Sequence, residues 1–191
     1  PSGEQMLIDF GEETLSKTTH IHFICLLLRY SRFYAFMHRI TRITRKKPVR
    51  RSIIVSVAWR RPKELVIDQD AVFVASETYG EVIKTRTFED FCTEQDLRLW
   101  VCNKADPESK GPIENSVGFV KKNFFSARKV TCINDVWRSL PGWLERKNQR
   151  IHRSTLRVPK AVYDSIERSA MRPLLPSVYE TSPNTFRTYE I

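Results

Sequence analysis

The order of apolar and polar residues along the chain predicts strands that alternate with helices. Five apolar runs are short and rich in residues that favour strands rather than helices. The predicted strands are Glu4–Leu15, in which the apolar residues Met6–Ile8 lead to Asp9, His20–Leu28, Phe33–Ile40, Lys63–Asp68 and Leu97–Asn103. A turn-like stretch at residues 29–32 separates the second run from the third, so these two strands are expected to form a hairpin.

Three later segments show the spacing of amphipathic helices, namely Arg86–Asp96, Pro112–Phe125 and Ile133–Trp143. In the second of these, the predicted core face consists of Ile113, Val117, Val120 and Phe124. Pro141 is expected to disturb the third helix, because proline lacks an amide hydrogen and clashes with the preceding turn. The tail after Arg172 is rich in Pro, Ser and Thr and is expected to be extended.

Length and composition predict one domain of ordinary size together with extensions. The chain has 191 residues, of which 41% are hydrophobic, enough to bury a core. The longest apolar run, Ile21–Leu28, is far shorter than the roughly 18 residues that a membrane-spanning helix needs. The four cysteines have neither paired nor metal-type spacing, so they are expected to be buried reduced thiols in a cytoplasmic protein.

The positive charge is concentrated in one segment. Of the 32 Lys and Arg residues, 13 lie between Thr14 and Lys63, where Asp and Glu are absent; the other 19 are outnumbered by the 22 acidic residues. Such density favours phosphate binding through Coulomb attraction and counterion release. The alternative interpretation is a solvated charged face, which is the commoner role of basic runs.

Three acidic residues occupy positions from which their carboxyl groups can converge. Asp9 and Asp68 each come directly after the apolar residues of a predicted strand, where each is expected to stand at the strand's end, and Glu114 lies in the first turn of a predicted helix. Convergent carboxylates resist ionisation unless a counter-charge is present. Two Mg²⁺ ions about 3.5–4 Å apart would relieve that repulsion and could clamp the attacking and leaving oxygens of a phosphodiester. Taken singly, each acid could equally be a surface cap or turn residue.

Several stretches resemble the catalytic core of IstA-type insertion-sequence transposases, which belong to the retroviral-integrase and DDE transposase superfamily. The stretches are "GEQMLIDFGE", "YSRF", "PKELVIDQDAVFVASETYGEVI", "DPESKGPIENSVGFVKKNFF" and "IHRSTLRVPKAVY". The resemblance covers residues 1 to about 175. It implies an α/β ribonuclease H-like fold with a five-stranded mixed sheet flanked by helices. It also implies a core over residues 1–150 and a C-terminal extension over residues 151–191.

The resemblance implies that Asp9, Asp68 and Glu114 form a DDE triad that binds two Mg²⁺ ions, with Mn²⁺ as a substitute. Water would hydrolyse the phosphodiester at the transposon end, and the freed 3′-hydroxyl would attack target DNA. The implied partners are DNA, an ATP-dependent IstB-type helper and further copies of the chain, in the bacterial cytoplasm at the nucleoid. The predicted DNA-binding residues are Lys110, Lys121, Lys122, Arg42, Arg45, Lys46 and Lys47.

Three points depart from the family pattern or stay open. Asp70 competes with Asp68 for the second position of the triad, and Gly118 stands where a basic DNA-contacting residue is expected. The segment Thr41–Arg61 contains Pro48 and a β-branched run where a crossover helix is expected. At most a short helix within Val49–Trp59 is predicted there. A shifted reading frame would explain the segment, as would simple divergence, and the alternative function is an inactive remnant or DNA-binding fragment.

Overall fold

The computed structural model describes residues 1–39, 60–67, 74–78, 81–84, 86–102, 116–128, 130–175 and 187–189. Several residues singled out from the sequence lie outside these ranges, namely Arg42, Arg45, Lys46, Lys47, Asp68, Asp70, Lys110 and Glu114. Residues 41–59 of the atypical basic segment also lie outside them. No helix of the described part is long and apolar enough to cross a membrane.

A mixed sheet of five strands forms the centre of the molecule. The strands β1 (Gln5–Ser16), β2 (Thr19–Leu28) and β3 (Tyr34–Arg39) pair antiparallel in sequence order. On the other side, β1 pairs in parallel with β5 (Glu64–Ile67), which pairs in parallel with β8 (Arg98–Val101). This order, β3-β2-β1-β5-β8, is the five-stranded mixed sheet predicted from the sequence.

Short strands that the sequence did not predict extend or flank this sheet. β10 (Arg187–Tyr189) adds to the edge at β3. β4 (Arg60–Arg61) pairs with β9 (Arg172–Pro173), and β6 (Val74–Thr78) forms a hairpin with β7 (Glu81–Lys84). The described parts of the tail after residue 171 are extended, as expected.

Four helices are described. They are α1 (Arg86–Glu94), α2 (residues 116–128, π-helical over Lys121–Ser126), α3 (Ile133–Gln149) and α4, whose parts are Pro159–Val162, the π-helical Tyr163–Glu167 and Arg168–Ala170. The expected disturbance at Pro141 was wrong, because α3 continues through it for two further turns. Burial of Trp143 and Leu144 beyond the proline offsets the lost hydrogen bond.

The sheet has a hydrophobic layer on each face, as the two-residue period of a strand requires. On β2, Ile24, Leu26 and Leu28 pack on the side of α1 and α4. Phe23 and Cys25 pack on the opposite side, with α2 and α3. The π-helical stretch of α2 buries both Phe124 and Phe125, although the 3.6-residue period had predicted only Phe124 for the core.

Helix α4 is fastened to the core by a buried carboxylate. Glu167 is fully buried and accepts hydrogen bonds from the backbone N–H groups of Gly3, at 3.3 Å, and Ser31, at 2.9 Å. Met171, which directly follows α4, belongs to the same hydrophobic cluster as β1 and β5. The division into a core of 1–150 and an extension of 151–191 stays a prediction, although residues around α4 share the core's packing.

The expectation of four buried thiols holds for Cys25, Cys92 and Cys102 but was wrong for Cys132. Cys132 is exposed because it stands at the N-terminus of α3, before the first buried residue of that helix. All four are free thiols.

The first prediction concerns Asn148, whose buried side chain completes the backbone hydrogen bonding of β3. Its Oδ1 accepts from Tyr34 N–H and its Nδ2 donates to Tyr34 C=O, both at 2.8 Å. We expect Asn148→Ala to lower the free energy of unfolding by about 2–4 kcal/mol, because two buried backbone groups lose their partner. Urea denaturation measures the change.

Asn123→Ala is the matched control, because Asn123 is exposed on α2 and donates one hydrogen bond to Phe119 C=O at 3.0 Å. Its stability should stay within about 0.5 kcal/mol of the parent chain. Equal effects of the two substitutions would contradict the role given to Asn148.

Candidate active site

Asp9 lies within β1, on the face of the sheet that α2 covers. The strand predicted at Glu4–Leu15 is confirmed, but the expectation that Asp9 stands where the strand ends was wrong, because the polar residues that follow it continue β1 to Ser16 by pairing with β2. Its neighbours Met6 and Ile8 point to the opposite face, in the cluster with α1 and α4. Asp9 pairs with Cys25 on β2, and the preceding residue, Ile8, pairs with Ile67 on β5.

The first described turn of α2 contacts the carboxyl group of Asp9. The backbone N–H of Val117 donates to Asp9 Oδ2 at 3.3 Å. Just before it in the chain, Ser116 C=O accepts a hydrogen bond from the buried Tyr34 hydroxyl at 2.9 Å. A backbone N–H is a suitable donor to a carboxylate oxygen. β3 and α2 together hold the carboxylate in place.

Gly11 allows α2 to approach β1 this closely. A Cβ at Gly11 would lie 2.3 Å from the Phe23 ring and 2.9 Å from Val117 Cγ1, both too close for real contacts. A larger residue would push the ring or the helix away from the strand. The glycine in "DFGE" therefore sets the distance between Val117 and Asp9.

Buried protonated groups line the floor beside Asp9. Burial raises the pKa of the Cys25 thiol well above its ordinary range, and the nearby Asp9 carboxylate raises it further. Burial also raises the pKa of the Tyr34 hydroxyl, again with contributions from Cys25 and Asp9. Both groups therefore stay neutral at physiological pH.

These surroundings fit a hard divalent cation. Mg²⁺ takes oxygen ligands and binds through one or two carboxylates together with water and phosphate. Because the Cys25 thiol stays protonated, no soft thiolate competes with the Asp9 oxygens. The described residues contain no group of three or more His, Cys, Asp or Glu side chains placed to hold a metal. The other two acids of the predicted triad, Asp68 and Glu114, lie outside those residues.

Two of the predicted DNA-binding residues are described, and both lie on α2. Lys121 is half-buried and Lys122 is exposed, at the start of the π-helical stretch. Gly118, on the same helix and next to Val117, is exposed, and the space that a side chain there would occupy is open. The roles of Lys121 and Lys122 in DNA binding stay predictions.

Sequence reasoning missed Tyr34, Ser116, Gly11 and Cys25 as parts of this site. A signal was present for Gly11, because a glycine within a strand often marks a close approach of another backbone. No local signal marks Tyr34 or Ser116, because their hydrogen bond joins residues that are 82 positions apart.

Comparisons with known proteins bear on this arrangement. No protein-family model matches the chain. It is 33% identical over 180 residues, 91% of its length, to the transposase for an insertion sequence element, IS21-like, of Bacteroides fragilis. The chain spans about a third, 34%, of the length of that relative. The resemblance to insertion-sequence transposases predicted from the sequence is therefore confirmed.

Solved structures show the same fold. A chain of the simian T-cell lymphotropic virus intasome, in complex with PP2A regulatory subunit B56 gamma, matches with a TM-score of 0.65 and 17% identity, covering 95% of this chain and 59% of that one. The HTLV-2 integrase catalytic core domain in complex with magnesium, in its trimeric form, matches with a TM-score of 0.61 and 13% identity, covering 84% and 96%. The BIV integrase catalytic core matches with a TM-score of 0.57 and 16% identity, covering 86% and 97%. The predicted ribonuclease H-like fold is confirmed.

The second prediction concerns the pH dependence of stability. In the unfolded chain the Cys25 thiol ionises near its ordinary pKa of 9.0, whereas burial keeps it protonated in the folded protein. The unfolded state therefore binds fewer protons above that pH, so stability falls as pH rises. We expect a loss of about 1.4 kcal/mol per pH unit from this group above pH 9.

Urea titrations at pH 8, 9 and 10 can measure this loss, with Cys25→Ala as the comparison. The variant should lose less stability per pH unit than the parent chain between pH 9 and 10, whatever its stability at pH 8. Parallel pH profiles for the two proteins would show that the thiol is not buried as the structure has it.

Proposed function

We propose that this chain, a relative of IS21-like transposases with an integrase-type ribonuclease H-like fold, is the catalytic core of a DNA transposase. In this proposal it is a divalent-metal-dependent polynucleotidyl transferase that cleaves transposon-end DNA and joins it to target DNA. The observation that carries the proposal is the position of Asp9 on the central strand. The start of α2 contacts it there, and β1 pairs with the strand that leads directly into Asp68.

Chain connectivity supports the pairing of Asp9 with Asp68. Ile8 and Ile67 are partners in neighbouring parallel strands, and Asp9 and Asp68 are the next residues in each. Strands lie about 4.8 Å apart and consecutive Cα atoms 3.8 Å apart, so the two Cα atoms can be separated by at most about 12 Å. That limit is compatible with carboxyl groups that share a pair of metal ions.

Chain connectivity likewise supports Glu114 as the third acid. Glu114 precedes Ser116 by two residues, so its Cα lies within about 7.6 Å of the Cα of Ser116. Ser116 and Val117 are held against the active-site face by Tyr34 and Asp9 respectively. These two contacts hold the first described residues of α2 on the active-site face, two residues after Glu114 in the chain.

The proposed chemistry uses these residues to hold and orient the reacting groups. Asp9, Asp68 and Glu114 would bind two Mg²⁺ ions, which supply charge neutralisation for the phosphorane-like transition state of an in-line displacement. In the first step a water oxygen bonds to phosphorus and the P–O3′ bond breaks, leaving a 3′-hydroxyl on the transposon end. In the second step that hydroxyl bonds to a target phosphorus, and a target 3′-hydroxyl leaves.

DNA and protein partners follow from the same proposal. Lys110, Lys121 and Lys122 would contact phosphates near the metals, and Arg42, Arg45, Lys46 and Lys47 would add to the positive surface. We further propose that the protein acts in the bacterial cytoplasm as an oligomer on DNA, with an IstB-type ATP-dependent helper.

The third prediction is that Asp9→Asn abolishes Mg²⁺-dependent nicking of a labelled duplex that carries the terminus of the encoding insertion sequence. DNA affinity should change by less than about twofold, because phosphate contacts carry binding. Titration calorimetry with Mn²⁺ should show a weakened metal site in the variant, since a carboxylate ligand becomes a neutral amide. Gel electrophoresis of the cleaved strand and fluorescence anisotropy measure the other two quantities.

Asp90→Asn, an exposed aspartate on α1, is the matched control and should nick at the parental rate. If the parent chain binds DNA but nicks with neither Mg²⁺ nor Mn²⁺, the catalytic proposal fails for this chain. The alternative function, an inactive DNA-binding remnant, would then stand.

The fourth prediction decides between the two aspartates that follow β5. Asp68→Asn should abolish nicking, whereas Asp70→Asn should reduce it only mildly, because Asp68 directly follows the paired residue Ile67. The same nicking assay compares the two variants. Activity in Asp68→Asn together with its loss in Asp70→Asn would reverse the assignment.

A further inference from the structure

A cavity of about 590 Å³ opens at the end of the sheet where β1 begins. Its walls come from the start of β1, the turn between β2 and β3 and the loop between α3 and α4. The residues that matter here are Gln5, Arg29, Tyr30, Arg32, Thr155 and Arg157. We call it the arginine pocket. Its volume is in the range of pockets that bind small molecules or nucleotides.

The three guanidinium groups of the arginine pocket have no carboxylate counter-ion among the described residues. None of them forms an ion pair with a described carboxylate; Arg29 instead donates to the neutral Gln5 Oε1 at 2.7 Å. The one acid in the lining, Glu4, has Lys63 at 3.5 Å. Burial, and to a lesser degree the positive charge of Arg29, lower the pKa of Arg32, because both disfavour its charged form. A bound anion would relieve it.

The backbone of Arg32 has a conformation that glycine adopts more readily than arginine. Its φ of +62° lies in the left-handed region, where glycine or asparagine is the usual choice for a turn. Such strain persists where function requires the side chain. The Arg32 Nε and the Thr155 Oγ1 are moreover buried and have no hydrogen-bond partner in the described part of the chain. Buried polar atoms of this kind are normally satisfied, so both have capacity to bind a ligand or water that enters the cavity.

We propose that the arginine pocket binds phosphate groups of the DNA on which the chain acts, outside the catalytic centre. The ligand chemistry follows from the lining: guanidinium groups match phosphate oxygens in geometry and charge, and a hydroxyl supplies a further donor. Tyr30 adds an aromatic side chain to the wall, on which a base of an unpaired strand can stack. This proposal rests on the proposed function, because it takes DNA as the substrate.

The position of the pocket makes it a second contact on one DNA molecule. Gln5 lines the pocket and Asp9 follows it by four residues on the same strand, so the two sites lie about 13 Å apart along β1. One strand of a duplex places a phosphate about every 3.4 Å along the axis. The arginine pocket would therefore hold the DNA about four phosphates away from the reacting one and set its register on the catalytic centre.

Arg32→Gly provides a test that separates binding from folding. Glycine adopts a φ of +62° without strain, so the variant should keep the parental midpoint of thermal unfolding. Its affinity for a fluorescein-labelled single-stranded or duplex oligonucleotide, measured by anisotropy in EDTA, should fall about five- to tenfold. The slope of log affinity against log salt should shrink by about 0.7–0.9, as expected for one lost phosphate contact.

Arg157→Gln and Arg153→Gln form a matched pair, because both arginines are exposed on the same loop and only Arg157 lines the arginine pocket. We expect Arg157→Gln to weaken DNA binding and Arg153→Gln to leave it unchanged. Parental affinity and salt slope in both Arg32→Gly and Arg157→Gln would overturn the proposal while leaving the proposed function intact.

Two other results would overturn the proposal in distinguishable ways. If the parent chain binds no DNA in this assay, the proposed function fails together with the pocket. If inorganic phosphate binds the parent chain but not Arg32→Gly in titration calorimetry, while both bind DNA equally, the pocket is a small-anion site and not a DNA contact.

Discussion

The pairing of β1 on both of its sides is the constraint on which the rest of the structure depends. On one side β1 forms an antiparallel ladder with β2, and on the other its first four residues, Gln5–Ile8, pair in parallel with β5. Over these residues β1 has no free edge, so the pairing with each neighbouring strand fixes its register. Because side chains alternate across the sheet, the register that buries Ile8 on one face places Asp9 on the other. The candidate site thus follows from the packing of the core.

Buried polar side chains fasten the surrounding helices and tail to that sheet. Asn148 of α3 satisfies the backbone of β3, and Glu167 of α4 satisfies amides near β1 and β2. Arg61 donates to the carbonyls of Pro173 and Gln95, and the Gln95 side chain pairs with the backbone of Leu175. Each of these contacts joins residues far apart in the chain. They hold the region after residue 150 on the same hydrophobic core as the residues before it.

Basic residues in the acid-free segment have more than one structural role. Arg61 is buried and serves the hydrogen bonding of the tail, so its charge does not contribute to an open DNA-binding surface. Arg29 and Arg32 instead line a cavity, without carboxylate partners in the described part of the chain. The net charge of +10 indicated affinity for phosphate, but the total alone could not separate these roles. Only the tertiary structure shows which guanidinium groups are buried in protein hydrogen bonds and which line an open cavity.

Local chemistry in the sequence was enough to predict the sheet. The apolar runs around Met6–Ile8, Ile21–Leu28 and Leu65–Ile67 became its central strands, because burial on both faces needs continuous apolar stretches. The motifs around Asp9, Asp68 and Glu114 carried the family resemblance, and sequence similarity and fold confirmed it. The roles of the three acids stay predictions, since Asp68 and Glu114 lie outside the described residues.

The tertiary structure alone decided the features that depend on distant partners. Helix α3 continues through Pro141 because Trp143 and Leu144 are buried in the core beyond it. The contact between Val117 and Asp9 joins residues 108 positions apart, across a strand and a helix. The hydrophobic periodicity of a segment predicts which of its residues are buried, but not which other segment they pack against. Contacts between distant segments form only when the whole chain folds around its core. The sequence therefore predicted the strands and helices but not the contacts between them.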